Sequence, residues 1–154
     1  MPNWCEGILK IRGTKENIKN FCENGLLGDG EKKTATITIN DYDFILNNSA
    51  SYLWIEGTRR HFIEINGTYT GNCFYDENTN KCLLMLPFKS AWCIDSDQLQ
   101  TISEKYHLDF RIKGYECGMG FTQEIEILDG KITLDIDQNY DDYAWECEQP
   151  DLGG

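Results

Sequence analysis

Basic residues are scarce in this chain and are nearly missing from its last part. The 154 residues include 14 Lys and Arg against 26 Asp and Glu, which gives a net charge of −12. Between Glu124 and Asp151 there are ten acidic residues and a single base, Lys131. Direct nucleic-acid binding requires Lys and Arg to neutralise phosphates, so this balance argues against it. The charge instead predicts a surface directed at a basic protein groove or a metal ion, or an acidic surface that meets only water.

The chain also lacks long apolar runs and a leader-like start. Its longest apolar stretch, Cys82 to Pro87, has the length of a strand, whereas a membrane-spanning helix needs about 18 or more apolar residues. The first residues, Met1 to Cys5, show neither the basic nor the apolar region of a secretory signal. The sequence therefore predicts no membrane association and a location in a reducing cytoplasm.

Motifs for disulfides, metal binding and catalysis are missing as well. The seven cysteines form no C-x-x-C pair, and their odd number predicts reduced, mostly buried thiols. The two histidines, His61 and His107, are expected to be structural or surface residues. Cys117 and Cys147 lack the positive surroundings that activate a thiol. We expect no catalytic residue, no resident metal and no cofactor.

Hydrophobic periodicity predicts the element order β-α-β-β-β-β-α-β-β-β. Thr14 is a candidate cap for the first helix, and Asp95 with Gln98 three residues later resembles a capping box at the second. Residues 66–80, rich in Asn, Gly and Thr, are predicted to form a loop. The Asp129-Gly130 pair indicates a two-residue hairpin turn. This order favours an α+β fold with a mainly antiparallel sheet, in one domain over residues 1–154.

Three short segments resemble one known family. The chain opens with Met1-Pro2-Asn3-Trp4-Cys5-Glu6, has Ala91-Trp92 just before the second predicted helix, and has Tyr115-Glu116 followed by Gly118-Met119-Gly120-Phe121. In order and spacing these segments are similar to the YubB ferredoxin-like family, which is found on phages, prophages and plasmids. The resemblance runs from the start of the chain to about residue 136.

The resemblance implies a fold and a setting. The fold would be a ferredoxin-like β-α-β-β-α-β sandwich, in which two helices pack on the sheet, with an added C-terminal β-hairpin. The setting would be a mobile element acting in the cytoplasm of a bacterial host cell. No enzymatic activity follows from it, and no iron–sulfur spacing is present. The chain departs from the family at Cys93-Ile94-Asp95, where prolines are frequent, and in the region after Asp137.

The acidic part of the chain is predicted to divide into a hairpin and a tail, together residues 121–154. Strand alternation places residues two apart on one face. On that basis Glu124, Glu126, Asp135 and Asp137 are predicted to share the hairpin face opposite the isoleucines. The tail would extend this acidic patch, with two aromatic residues as anchors. The candidate partner-binding residues are Glu124, Glu126, Asp135, Asp137, Asp141, Asp142, Tyr143, Trp145, Glu146 and Glu148.

These features favour a small, non-enzymatic binding protein of a phage or mobile element. It would bind the basic groove of a host nucleic-acid-handling defence protein and block it, as an anti-CRISPR or anti-restriction inhibitor does. Opposite charge would give fast, salt-sensitive association. The partner's identity, the inhibited step and the oligomeric state stay open.

Three alternatives stand beside this hypothesis. Asp135, Asp137, Asn139 and Glu146 occupy positions 1, 3, 5 and 12 of a calcium-loop pattern, although Tyr140 stands where that loop needs glycine. A calcium-binding module using the Asp135–Glu146 loop is therefore one alternative. The others are an enzyme that uses an unrecognised cysteine or carboxylate, and a passive structural protein.

Overall fold

The computed structural model describes all residues from Met1 to Gly154, as twelve strands, three helices and one π-helical turn. The first part contains β1 (Trp4–Gly13), α1 (Lys15–Asn20), the π-helical turn (Phe21–Gly25), β2 (Leu26–Leu27), β3 (Ala35–Ile39), β4 (Asp43–Asn48), β5 (Leu53–Ile55), β6 (His61–Ile63), β7 (Gly67–Asn72) and β8 (Phe74–Asp76). The second part contains β9 (Lys81–Ala91), α2 (Ser96–Tyr106), β10 (Asp109–Glu116), β11 (Phe121–Leu128), β12 (Lys131–Asn139) and α3 (Tyr143–Glu146).

A nine-stranded antiparallel sheet forms the framework. Its strand order is β12-β11-β10-β1-β9-β6-β5-β2, and β8 pairs with the start of β9. The central strand β1 alternates buried Leu9 and Ile11 with exposed Ile8 and Lys10. We call the side of Leu9 and Ile11 the helix face, because α1 and α2 pack there, and the side of Ile8 and Lys10 the open face.

A separate three-stranded sheet, in the order β3-β4-β7, completes the core. It contributes Ile37, Phe44 and Leu46 to the same buried cluster that contains Leu9 of β1 and Leu99 of α2. One continuous core therefore joins both sheets and the two longer helices. No helix combines the length and the apolar character that crossing a membrane would require.

Both helix starts carry the caps that the sequence predicts. Asn17 N–H donates to Thr14 Oγ1 over 3.1 Å, and Gln98 N–H donates to Asp95 Oδ1 over 3.1 Å. Each side-chain oxygen satisfies an N–H that has no partner within its own helix, so these residues fix where α1 and α2 begin.

The ferredoxin-like architecture with two packing helices is wrong. The structure has a nine-stranded sheet, a second three-stranded sheet and three helices. The difference arises between α1 and β9, where seven short strands form. Residues 66–80, expected as a loop, contain β7 and β8. Because β7 is an edge strand with mostly exposed side chains, it needs no apolar alternation, and its sequence gives little strand signal.

The predicted hairpin at Asp129-Gly130 is present. Both residues have positive φ, 51° and 72°, as a tight two-residue turn between antiparallel strands requires. Its first strand, β11, pairs with β10, so the hairpin extends the main sheet and makes β12 the edge strand.

Candidate protein-binding surface

The register of the hairpin separates the four acidic residues that were predicted to share one face. Glu124 pairs with Ile136, whereas Asp135 pairs with the buried Ile125. Directly paired residues in an antiparallel ladder lie on the same face. Glu124 and Glu126 therefore lie on the open face, and Asp135 and Asp137 lie on the helix face. The predicted shared face for these four residues is wrong.

A β-bulge at Thr133 causes this separation. Ile127 pairs with Ile132, but the next residue of β11, Glu126, pairs with Leu134. Thr133 is thus an extra residue, and its hydroxyl donates to Glu126 Oε1 over 2.8 Å. One inserted residue reverses the facing of every following side chain. The alternation is regular on each side of the bulge but is not continuous across it.

The two glutamates on the open face are paired with bases. Arg111 Nη1 lies 2.6 Å from Glu126 Oε2, and Lys113 Nζ lies 3.4 Å from Glu124 Oε1. Hydrogen bonds from Thr133 and Arg111 lower the pKa of Glu126. These carboxylates therefore belong to a charge-balanced sheet surface and not to a free acidic patch.

Glu148 also has partners within the chain. It forms an ion pair with Lys113 and accepts a hydrogen bond from the Tyr115 hydroxyl over 2.9 Å. The bond from Lys113 is the main cause that lowers the pKa of Glu148 to about 2. Further along, Trp4 and Gly154 exchange two backbone hydrogen bonds. The segment 147–154 is consequently held against one end of the open face and does not extend the acidic patch.

Asp135 and Asp137 lie beside the start of α2. Ser96 Oγ donates to Asp135 Oδ2 over 2.5 Å. Asp137 lies close enough to Cys93 to act on its thiol: burial raises the pKa of Cys93, and the charges of Asp95 and Asp137 raise it further. Neither Asp135 nor Asp137 has a basic partner within ion-pair distance.

Three further carboxylates follow β12 at the same end of the sheet. Asp141 and Asp142 lie in the connection to α3, and Glu146 lies in its single turn. All three are exposed, and none is within ion-pair distance of a base. Trp145 lies among them with 86% of its surface exposed.

Tyr143 does not fit the role of an exposed anchor. Its ring is half-buried and packs edge-on against Tyr140, with centroids 5.3 Å apart. Its hydroxyl is buried without a hydrogen-bond partner, and burial raises its pKa. Tyr143 therefore attaches α3 to the body of the protein, while Trp145 stays exposed.

The structure thus reduces the ten candidate residues to six, two on the helix face of β12 and four in the segment that follows it. We call this set the acidic end; it consists of Asp135, Asp137, Asp141, Asp142, Trp145 and Glu146.

Sequence reasoning missed three neighbours of the acidic end. Asp95 and Asp97 begin α2, beside Ser96 and hence beside Asp135. Trp92 follows β9 and is 53% exposed, with a φ of +71°. The only sequence signal at these positions is the capping pattern at Asp95, which predicts a helix start and not a surface. The pairing of strands brings these residues to the hairpin from about forty positions earlier in the chain.

Metal binding has no support in the geometry. No three His, Cys, Asp or Glu side chains lie close enough together to hold a metal ion. Asp135, Asp137 and Asn139 belong to an extended strand, whereas a calcium loop curls around its ion.

Most of the cysteines are buried, unpaired thiols. All seven are free, and five are buried. Burial raises the pKa of Cys5 and of Cys22 to about 12, which keeps both thiols protonated.

Comparisons of the chain with protein-family models, with curated proteins and with solved structures gave no match. The resemblance to the YubB family therefore stays a prediction, and any statement of function depends on the surface itself.

Proposed function

We propose that the protein is a non-enzymatic inhibitor from a phage or other mobile element. Its acidic end would occupy a basic nucleic-acid-binding groove on a host defence protein in the bacterial cytoplasm. One observation carries this proposal. Of the eight acidic candidate residues, Glu124, Glu126 and Glu148 pair with bases, while the five on the acidic end have no base within ion-pair distance.

Unpaired carboxylates at one end of a fold are costly because they repel one another. Screening at physiological salt has a length of about 8 Å, which weakens this repulsion without removing it. A basic partner would relieve it and would also be drawn to the surface by long-range attraction. Trp145 is an exposed aromatic side chain, and residues of this type often contribute much of the binding free energy of an interface.

Charge and the family resemblance both support a nucleic-acid-binding protein as the partner. Grooves that bind nucleic acid are rich in Lys and Arg, so a row of carboxylates can compete there with phosphates. The resemblance supports a mobile-element setting, in which anti-CRISPR and anti-restriction inhibitors act. The protein itself carries too little free basic charge to be the nucleic-acid-binding component.

A pull-down from bacterial lysate tests the proposal, with binding measured at low and high salt. A triple variant with Asp141→Lys, Asp142→Lys and Glu146→Lys should lose the partner, and high salt should release it from the native protein. The captured protein should bind nucleic acid, and the native chain should displace that nucleic acid.

A matched control reverses the same number of exposed, unpaired acids elsewhere. The control variant carries Glu16→Lys, Asp29→Lys and Glu77→Lys. It changes the net charge by as much as the first triple variant does, at positions away from the acidic end. This control should keep the partner. Equal loss of binding in both triple variants would show that only overall charge matters and would refute a specific acidic end.

A further inference from the structure

The strand β12 leaves a long edge of the main sheet open. It pairs with β11 on one side and has no strand on the other. The opposite edge of the sheet is the two-residue strand β2, which is too short to serve as a template. An open edge presents unpaired N–H and C=O groups to another chain.

The hydrogen-bond pattern identifies which backbone groups point outward. Tyr140 N–H donates to Gly120 C=O over 3.1 Å, which marks that pair as a bonded one. Bonded pairs recur at every second residue of an antiparallel ladder. Leu134, Ile136 and Gln138 therefore face β11 with their backbone, and Asp135, Asp137 and Asn139 direct their N–H and C=O groups outward.

The side chains along this edge alternate in chemistry. Leu134 and Ile136 lie on the open face, and Ile136 is 52% exposed. Asp135 and Asp137 lie on the helix face without a basic partner. The bulge at Thr133 interrupts the ladder, so the regular edge available for pairing runs from residue 134 to 139.

We propose that this edge accepts an extended segment of the partner as an additional β-strand. Basic side chains of that segment would lie opposite Asp135 and Asp137, and apolar side chains would lie beside Leu134 and Ile136. The inference rests on the proposed function and deepens it, because it states how the basic partner is held. Main-chain hydrogen bonds would provide affinity, and the alternating side chains would provide selectivity.

A second copy of this chain fits the edge poorly. Pairing β12 with its own copy would place the aspartates of one strand near those of the other, and like charges on neighbouring strands are unfavourable. A neutral strand would leave these carboxylates uncompensated. A basic segment is the one occupant that turns both charges into attractive pairs.

The test uses a synthetic peptide of about eight residues, the length of an ordinary strand, with the sequence Lys-Val-Arg-Thr-Lys-Val-Arg-Thr. Binding to the full chain is followed by NMR at low salt, together with amide hydrogen exchange. We expect slowed exchange at Asp135, Asp137 and Asn139, with little change at Ile136 and Gln138, whose N–H groups already bond to β11.

Two controls separate strand addition from simple charge attraction. Methylating alternate backbone nitrogens of the peptide keeps its charge but removes its donors, and it should reduce affinity at least about tenfold. Asp135→Asn with Asp137→Asn keeps the outward backbone groups and should weaken binding roughly three- to tenfold, because it removes two favourable cross-strand pairs.

The outcomes distinguish this inference from the proposed function. If the methylated peptide binds equally well and no alternating protection appears, strand addition is refuted, while a charge-driven interaction of the acidic end stands. Dimerisation of the chain through β12, seen by analytical ultracentrifugation, would also refute it. The peptide could also add to β12 while the Asp141, Asp142 and Glu146 charge reversals leave capture of the partner unchanged. That pair of results would refute the proposed function and leave strand addition standing.

Discussion

The charge of Glu148 is coupled to the folded state through its bonds to Lys113 and Tyr115. Its pKa is lowered to about 2, first by the bond from Lys113 and then by further hydrogen bonds, including that from Tyr115. A carboxyl with a depressed pKa contributes stability above its unfolded pKa, and the contribution is lost as the pH falls through its folded pKa. The attachment of segment 147–154 therefore weakens in acid.

Replacing Glu148 with Gln should lower the free energy of unfolding by about 0.5–1 kcal/mol at pH 7, as expected for a partly exposed ion pair. Below about pH 4.5 this difference should shrink, and it should vanish near pH 2. Urea unfolding of both proteins across this range provides the measurement. Glu146→Gln, which removes an unpaired carboxylate nearby, should show no such loss; a constant deficit for Glu148→Gln at every pH would contradict the ion pair.

His61 connects three elements through a buried hydrogen-bond chain. Asp95 N–H donates to its Nε2 over 3.0 Å, so in the neutral ring Nδ1 carries the proton and donates to Ser90 Oγ over 3.1 Å. The serine hydroxyl in turn donates to the Cys93 carbonyl over 2.5 Å. This chain fixes the end of β9 against the start of α2 and requires an uncharged imidazole.

Burial lowers the pKa of His61 to about 4. The unfolded chain binds this proton near pH 6.5, so stability should be complete above that pH and should fall between about 6.5 and 4, by up to roughly 3 kcal/mol. A His61→Gln variant should be less stable at pH 7 but should lack this slope in urea titrations. The exposed His107, replaced by Asn, which tolerates its left-handed conformation, should keep the slope. Equal slopes in native and His61→Gln proteins would exclude His61 as the source.

At the level of elements, the sequence correctly predicted helix starts and the hairpin turn, because these depend on residues close together in the chain. Thr14 and Asp95 are caps, and the Asp129-Gly130 turn has the conformation that its residues favour. The register beyond Thr133 was not predictable, because a bulge depends on how β12 meets β11 and leaves no mark in the alternation itself. The edge strand β7 was missed because few of its side chains are buried.

The bulge at Thr133 turns Asp135 toward the helix face, where it accepts a hydrogen bond from Ser96. The energy of this bond can be measured. A double-mutant cycle with Ser96→Ala and Asp135→Ala should give a coupling energy of about 1 kcal/mol, since the hydroxyl donates to a charged acceptor. The same cycle with Ser96→Ala and Glu124→Ala should give a value near zero, because Glu124 lies on the other face. Unfolding free energies of the single and double variants supply both numbers. A value near zero for Ser96 with Asp135 would mean that β12 alternates without a bulge and carries Asp135 on the open face.

Over the whole molecule, the amount of negative charge could be counted from the sequence, but which carboxylates are paired with bases could not be predicted from it. Three of the eight acidic candidates are neutralised by Lys113 and Arg111, which come from β10. That pairing could not be inferred because β10 meets β11 only through the tertiary ladder. The remaining five are left at one end of the fold, and repulsion among them reduces stability. Residues retained at such a cost are candidates for function.

Because some carboxylates have basic partners and others do not, neutralising them should change stability in opposite directions. Asp141→Asn with Asp142→Asn should stabilise the protein by about 0.5 kcal/mol in low salt, since neither carboxylate has a basic partner and Asp142 makes no side-chain cap to α3. Glu124→Gln with Glu126→Gln should instead destabilise it, since Lys113 loses one of its two partners and Arg111 loses its own. Both differences should nearly disappear at about 1 M salt, where the screening length is about 3 Å. Thermal or urea unfolding at two salt concentrations measures them. A loss of stability on removing Asp141 and Asp142 would show that these charges serve the fold and would contradict a binding role for the acidic end.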